Sequence, residues 1–484
     1  MQALRSGTGP LRAHLKTPRT PPAAAYASRS RWLVVLGLWL AVGALALWLL
    51  VRPAAEAGSS SASNATVSAR HPASRGQPLP AHRPGARGHR ASRLPPPPAG
   101  WPTAFELGMA DPPGDAGALA ASGGFGIRYQ YLSGGVNTDS GWQRYNPAAT
   151  FVDRYVDESL ASGLMPVFSY YMLLQSAPGN AQENEWDGDT ANLATAATMR
   201  SYFADLETFL RHAAASAPNP VVLHVEPDLW GYLQQSSRDD DGRTVPALVS
   251  ATGLPELRGL PNDAAGLAQA IVRLRNRLAP NVLLAYHLSV FGTNKDLLYE
   301  EPSTPTVDLL AARSARFYRS LHADFDLIFA EFANHNAGYG EAVLHDQGAS
   351  WWRQSDYATE RRYLAEVVRL TRKRVVLWQI PVGNTRMRAM DDTPSHYRDN
   401  HVQWLLASRH QRRLRSYMRA GVIALLFGPA LPGDTCACDA SNDGVTNPAP
   451  IDGNTRRSYS ADDDGGFLRL RARLYAQRGP LRLP

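Results

Sequence analysis

A chain of 484 residues has room for more than one domain, yet α/β barrels routinely gather about 250 residues around a single core, so one large domain with extensions fits the length. The formal charge of +7 is confined to one end: residues 1–100 hold thirteen Arg and Lys against one acid, Glu56, whereas the remainder holds 37 basic and 42 acidic residues, a net of −5. This excludes a globular domain that binds nucleic acid or another polyanion, and two cysteines exclude a fold built on disulfides.

The first predicted element follows a basic tail, residues 1–31. Trp32 to Val51 reads "WLVVLGLWLAVGALALWLLV", twenty residues without a charge, long enough at ~1.5 Å per residue to cross a hydrocarbon core of ~30 Å. Arg5, Arg12, Lys16, Arg19, Arg29 and Arg31 precede it, which orients residues 32–52 as a single-pass signal-anchor helix in the inner (cytoplasmic) membrane, with the rest of the chain periplasmic or extracellular. The alternative is secretion after cleavage near Ala57, at the A-x-A site Ala55-Glu56-Ala57. Residues 53–100, rich in Pro, Ala, Ser and Arg, have little to bury and are expected to form a disordered linker. The excess of Arg over the three lysines, together with abundant Ala, is the bias of a GC-rich bacterial genome and points to an envelope protein.

From Trp101 to Pro484 short apolar runs alternate with helix-period segments. Eight runs qualify as strands: 105–110, 127–132, 165–173, 221–227, 282–290, 326–332, 374–382 and 421–428. Between them, "NPAATFVDRYVDESLASG" has Phe151, Tyr155 and Leu160 at near-helical spacing, Pro147 for the first turn and Gly163 for the C-terminal cap. The segment 111–126 shows no convincing helix. Strands alternating with helices predict a parallel sheet, and eight of them predict a closed (β/α)8, TIM-like barrel preceded by the one transmembrane helix and the linker. Connections entering strands are short and those leaving strands 3, 4, 6, 7 and 8 are long, so the strand C-termini carry the functional face.

Strand 4 ends in "VVLHVEPDLWGYLQ". Strict alternation puts His224 and Glu226 on one face, with Glu226 and Asp228 at the barrel mouth. Strand 6, "DLIFAEFANHN", brings Glu331 to the matching place, followed by Asn334, His335 and Asn336. Two carboxylates from different strands are what glycoside hydrolysis requires: one protonates the leaving oxygen, the other attacks or activates water. Glu226 and Glu331 are the expected pair, Glu226 as general acid and Glu331 as nucleophile or base, with Asp228 a third catalytic candidate. Aromatic and polar residues suited to a sugar ring lie nearby, and the expected substrate-binding set is Tyr170, Tyr171, His224, Trp230, Tyr232, His287, Asn334, Trp378 and Gln379. His224, His287 and His335 lack a metal-ligand spacing.

On these residues the chain resembles the TIM-barrel glycoside hydrolases over roughly Trp101–Pro429. The Glu-Pro of strand 4 looks like the acid/base strand of the clan of cellulases and mannanases, but Val225 stands where that clan has asparagine, and Gln379 stands on strand 7 where it keeps a nucleophilic glutamate. Acids on strands 4 and 6 are similar in placement to the α-galactosidase-like barrels, which use aspartates. Joined to the expected anchor, the resemblance gives an exported, membrane-tethered glycoside hydrolase acting on an envelope or extracellular polysaccharide. The competing class is a non-catalytic barrel that binds glycan or supports envelope assembly.

The last long loop holds Asp439-x-Ser441-x-Asp443-Gly444, the first half of a calcium loop whose twelfth-position acid is replaced by Pro450. Asp439, Ser441 and Asp443 are the candidate calcium ligands; no organic cofactor is expected. Cys436 and Cys438, two residues apart, would form a strained disulfide or stay free.

Overall fold

Eight parallel strands close on themselves, each pairing with the next in sequence and the last with the first. They are β1 (Glu106–Ala110), β2 (Ile127–Leu132), β3 (Met165–Tyr170), β4 (Val221–Val225), β5 (Val282–Leu288), β6 (Leu327–Glu331), β7 (Arg374–Pro381) and β8 (Val422–Gly428). These come from a computed structural model that describes residues 94–146, 149–297, 302–333, 335–386, 390, 392, 397–428 and 464–484. The anchor, most of the linker, Asn334 and the loop with Cys436, Cys438, Asp439, Ser441 and Asp443 lie outside the described residues. Among the described residues no helix is long and apolar enough to cross a membrane.

Helices between the strands form the outer layer: α1 (Ala116–Ser122), α2 (Phe151–Ala161), α3 (Glu185–Leu193), α4 (Ala196–Ala214), α5 (Leu229–Ser236), α6 (Ala264–Leu278), α7 (Thr304–Ser320), α8 (Ala337–Ala342), α9 (Gln354–Thr371), α10 (His401–Leu406), α11 (Arg412–Ala420) and α12 (Phe467–Gln477). Helix α1 occupies the segment that showed no helical signal in the sequence. Its seven residues are mostly Ala, Gly and Ser, too small to write an apolar period. Helix α2 stops at Ala161, and Gly163 follows at φ +71°, the left-handed position that glycine adopts without steric cost.

Strand alternation sorts the core into two. Ile127, Tyr129, Val167, Val222, Ala285, Phe329, Val376, Trp378, Ala424 and Leu426 fill the barrel interior, while a larger cluster joins the outer strand faces to the helices. The interior is a packed core with a polar seam near one end, where Ser169, His224 and His287 are wholly buried. The other end is closed by the chain termini of the domain. Pro95 O accepts from Arg374 Nε at 2.6 Å and Pro484 O from Arg374 Nη2 at 3.0 Å, and Phe105 N donates to Leu481 O. Leu94 and Pro95, within the stretch read as linker by composition, thus pack on the domain floor, where buried Arg374 holds the Pro95 carbonyl.

One acid in the helix layer sets a pH dependence. Glu360 of α9 is buried, with the Tyr417 hydroxyl and Arg361 as favourable neighbours, and desolvation still pushes its carboxyl up to about 8. The folded state thus holds a proton that the unfolded chain releases near the ordinary value of 4.5. Stability is expected to fall as pH rises from 4.5 toward 8. Glu360→Gln removes this loss, so the variant should gain on the order of 1–3 kcal/mol over wild type at pH 8 and almost nothing at pH 4.5. Thermal melts at the two pH values check this; an equal difference at both would contradict it.

Candidate active site

Strand β4 ends at Val225, and the chain then makes two unusual turns. Glu226 has φ +47° and Asp228 φ +69°, with Pro227 between them. Non-glycine residues in this region cost about 1–2 kcal/mol each, a strain that collects at functional sites. The first turn breaks the alternation expected of strand 4. Glu226 leaves the interior face, and its carboxylate accepts the backbone N–H groups of Met172 and Leu173 at 3.3 Å. The Tyr202 hydroxyl and Asp205, both from α4, are its further neighbours, and burial, only partly offset by those donors, raises its pKa to about 8.

The second turn swings Asp228 back over the barrel. Its side chain is about one-third exposed and makes no capping bond to α5, which starts at the next residue. Strands β5 and β6 keep their alternation and place His287 and Glu331 beside it. One oxygen of Asp228, one of Glu331 and one ring nitrogen of His287 all lie within 4.8 Å of one another, and His287 Nε2 is 3.8 Å from Asp228 Oδ1.

Behind His287 runs a buried polar chain. His287 Nδ1 meets His224 Nε2 at 2.9 Å, and His224 Nδ1 meets Ser169 Oγ at 3.1 Å. Desolvation keeps both rings neutral, lowering His287 to about 3 and His224 well below its ordinary value. The remaining nitrogen, His287 Nε2, is buried and has no hydrogen-bond partner among the described residues, since 3.8 Å to Asp228 Oδ1 is beyond hydrogen-bond range. Trp378 packs edge-on against both imidazoles and at a tilt against Tyr131, making the floor of the mouth.

More acid surrounds the pair. Glu185, at the start of α3, accepts from Tyr171 Oη at 2.9 Å and has Tyr232 as a second hydroxyl neighbour; Asp189 is one turn on. Burial, then the charges of Asp228, Asp296 and Glu185, raise Glu331 well above the carboxylate range, while Asp228 is raised by burial to about 6. Beside them Tyr232 stacks on Trp186 with ring centroids 6.3 Å apart and meets Phe291 at 5.2 Å. This is a half-buried aromatic wall.

The structure thus gathers Asp228, Glu331, Tyr171, Tyr232, His224, His287, Trp378 and Gln379 around the mouth, Gln379 through its bond to Tyr131 Oη at 3.0 Å. Three other candidates make their hydrogen bonds elsewhere, Glu226 remaining an electrostatic neighbour of Glu185 and Asp189. Glu226 serves the backbone after β3; Tyr170 donates to Asp205 at 2.6 Å; Trp230 is fully buried against Tyr286 and Phe325, its Nε1 donating to Val225 O at 2.9 Å. Glu185, Asp189 and Asp296 were not foreseen. In "NEWDGD" the acids look like those of an ordinary helix first turn, and Asn184 does cap it by accepting from Asp187 N. Two grooves of about 480 and 550 Å³ lie elsewhere, along helices α9 and α11, and contain none of these residues.

No family model matches the chain and no curated protein does. Solved structures similar to it include a GH53 catalytic domain from Ignisphaera aggregans, at 10% identity and TM-score 0.39, covering 78% of this chain and 98% of that one. An exo-β-1,4-mannosidase from an Opitutaceae bacterium, strain TAV5, matches at 12% identity and TM-score 0.42, covering 77% and 60%. A GH26 β-mannanase from Bacteroides ovatus matches at 13% identity and TM-score 0.37, covering 77% and 90%.

Proposed function

We propose that the chain is a retaining glycoside hydrolase with Asp228 as nucleophile and Glu331 as acid/base. The observation that carries this is the separation of the two carboxylates, at most 4.8 Å between their nearer oxygens. Retaining enzymes hold the pair about 5–5.5 Å apart, whereas inverting ones need about 6.5–9.5 Å to admit a water. The roles follow from the environments. Glu331 feels burial and three like charges and keeps a proton; Asp228, raised only to about 6, is ionised beside it near neutrality.

In the first step an Asp228 oxygen attacks the anomeric carbon as the glycosidic C–O bond breaks, and Glu331 gives its proton to the leaving oxygen. In the second, the Glu331 carboxylate takes a proton from water, the hydroxide equivalent attacks the anomeric carbon, and Asp228 departs. Trp186, Tyr232 and Phe291 offer a face for a sugar ring. Tyr171, Gln379 and the Trp378 indole supply hydrogen-bonding edges.

A polysaccharide outside the cytoplasm is the proposed substrate, with residues 32–52 tethering the barrel to the membrane. The apolar run from Trp32 and the arginines before it support the tether, and the negative balance after residue 100 speaks against a polyanionic partner. The test is release of reducing ends from a panel of α- and β-linked polysaccharides, with ¹H NMR of the product anomer before mutarotation. Retention of configuration is expected; a first-formed product of inverted configuration would contradict the reading. Folded wild type inert on every polymer, yet binding one, would favour the non-catalytic barrel.

A further inference from the structure

We infer that Asp228, His287 and Glu331 form a binding site for one divalent transition-metal cation of the Zn²⁺ kind, and that a cation there switches the hydrolase off. The switch rests on the glycosidase reading; the binding does not.

Three observations converge. The ligand atoms come from the ends of three successive strands and already lie within 4.8 Å of one another. Around zinc, with bonds of about 2.0–2.2 Å, tetrahedral ligand atoms sit roughly 3.3–3.6 Å apart, so closure asks for about 1 Å of carboxylate movement. Asp228, part-exposed and free of a capping bond, can supply it by side-chain rotation. Second, His287 Nε2 is fully buried, faces Asp228 and lacks a hydrogen-bond partner among the described residues. An orphaned buried nitrogen costs about 1–3 kcal/mol, and a cation in front of it would remove that cost. Third, the opposite nitrogen is anchored. A proton on His287 Nδ1 donated to His224 Nε2, with His224 Nδ1–H donated to Ser169 Oγ, leaves the His287 Nε2 lone pair aimed at the carboxylates. Metal-binding histidines are held in this way through their other nitrogen.

The donor set selects the ion. One imidazole with two carboxylates suits Zn²⁺ and its neighbours, whereas Mg²⁺ and Ca²⁺ prefer all-oxygen shells. Glu185 and Asp296, which act electrostatically on Glu331, deepen the negative potential. An ion held here takes the lone pairs that would attack the anomeric carbon and blocks the carboxyl that would protonate the leaving group.

Isothermal titration of the EDTA-stripped full chain with ZnCl₂, beside MgCl₂, reads the binding, and sugar release before and after EDTA reads the switch. Expected are one zinc per chain and no heat with magnesium. Asp228→Asn and His287→Gln, each checked for native circular dichroism, should bind at least ~100-fold more weakly, the scale of losing even an outer-shell partner. Zinc should stop hydrolysis and EDTA restore it. The site is overturned if folded wild type takes up no zinc, or if both variants bind as wild type does. Turnover that requires zinc would overturn the switch and the two-carboxylate mechanism together. Zinc binding as described, without hydrolysis of any glycan, would uphold the site and remove only the hydrolase reading.

Discussion

Asp228→Asn and Glu331→Gln are each expected to lower polysaccharide hydrolysis by ~10²–10⁴-fold, about 3–5 kcal/mol in the barrier, while the barrel stays folded. Asparagine keeps the size of Asp228 and tolerates its φ of +69° better than most residues, so the loss reports chemistry. The two variants should differ in kind. Without a proton donor at 331, aryl glycosides with acidic leaving groups should still be attacked, so the deficit shrinks as the leaving group improves. Without a nucleophile at 228 it should not. Glu226→Gln provides the contrast: it replaces the buried carboxyl that accepts the Met172 and Leu173 amides and should lower the melting temperature while keeping turnover within roughly tenfold of wild type. Steady-state rates on one aryl glycoside and one polymer, with melts, separate these outcomes. A folded Glu226→Gln as inactive as Asp228→Asn would return the acid role to Glu226.

The second large effect concerns stability. Trp230 packs against Tyr286 and Phe325 and is fully buried. Trp230→Ala should destabilise the domain by about 3–5 kcal/mol, the sum of lost transfer energy and a residual cavity, and should leave KM unchanged under conditions where the variant is folded. Tyr232, two residues on, is half-buried on the aromatic wall with Trp186. Its replacement by Ala should raise KM with little change in denaturation midpoint. Urea unfolding together with KM for both variants checks the pair of statements. A stable Trp230→Ala with weakened substrate binding would mean that the indole reaches the sugar.

That contrast shows what the sequence reveals and what it conceals. The eight apolar runs are legible because parallel strands are buried on both faces, and all eight appear within a few residues of their expected bounds. Glu331 and His287 are legible because β5 and β6 alternate without interruption. Glu226 and Asp228 exchange places because two positive φ values lie around Pro227, and a Glu-Pro-Asp string does not announce left-handed backbone. Trp230 and Tyr232 differ only in which side of a short helix each occupies. The chain from Ser169 through His224 to His287 joins residues separated by 55 and 63 positions, a proximity that only closure of the barrel creates. Glu185 is concealed by doing two things at once: it stands in an ordinary capped first turn, and its carboxylate reaches the Tyr171 hydroxyl.

The central claim is that Asp228 is the nucleophile of a two-step displacement, and chemical rescue tests it most directly. The Asp228→Ala variant, given an aryl glycoside of the sugar that wild type cleaves and an excess of azide, presents an empty place where the carboxylate stood. The account predicts that azide accelerates aryl release and that the product is a glycosyl azide of configuration opposite to the substrate, identified by ¹H NMR. Wild-type turnover by Asp228→Ala without azide, or a rescued product that keeps the substrate's configuration, would contradict it.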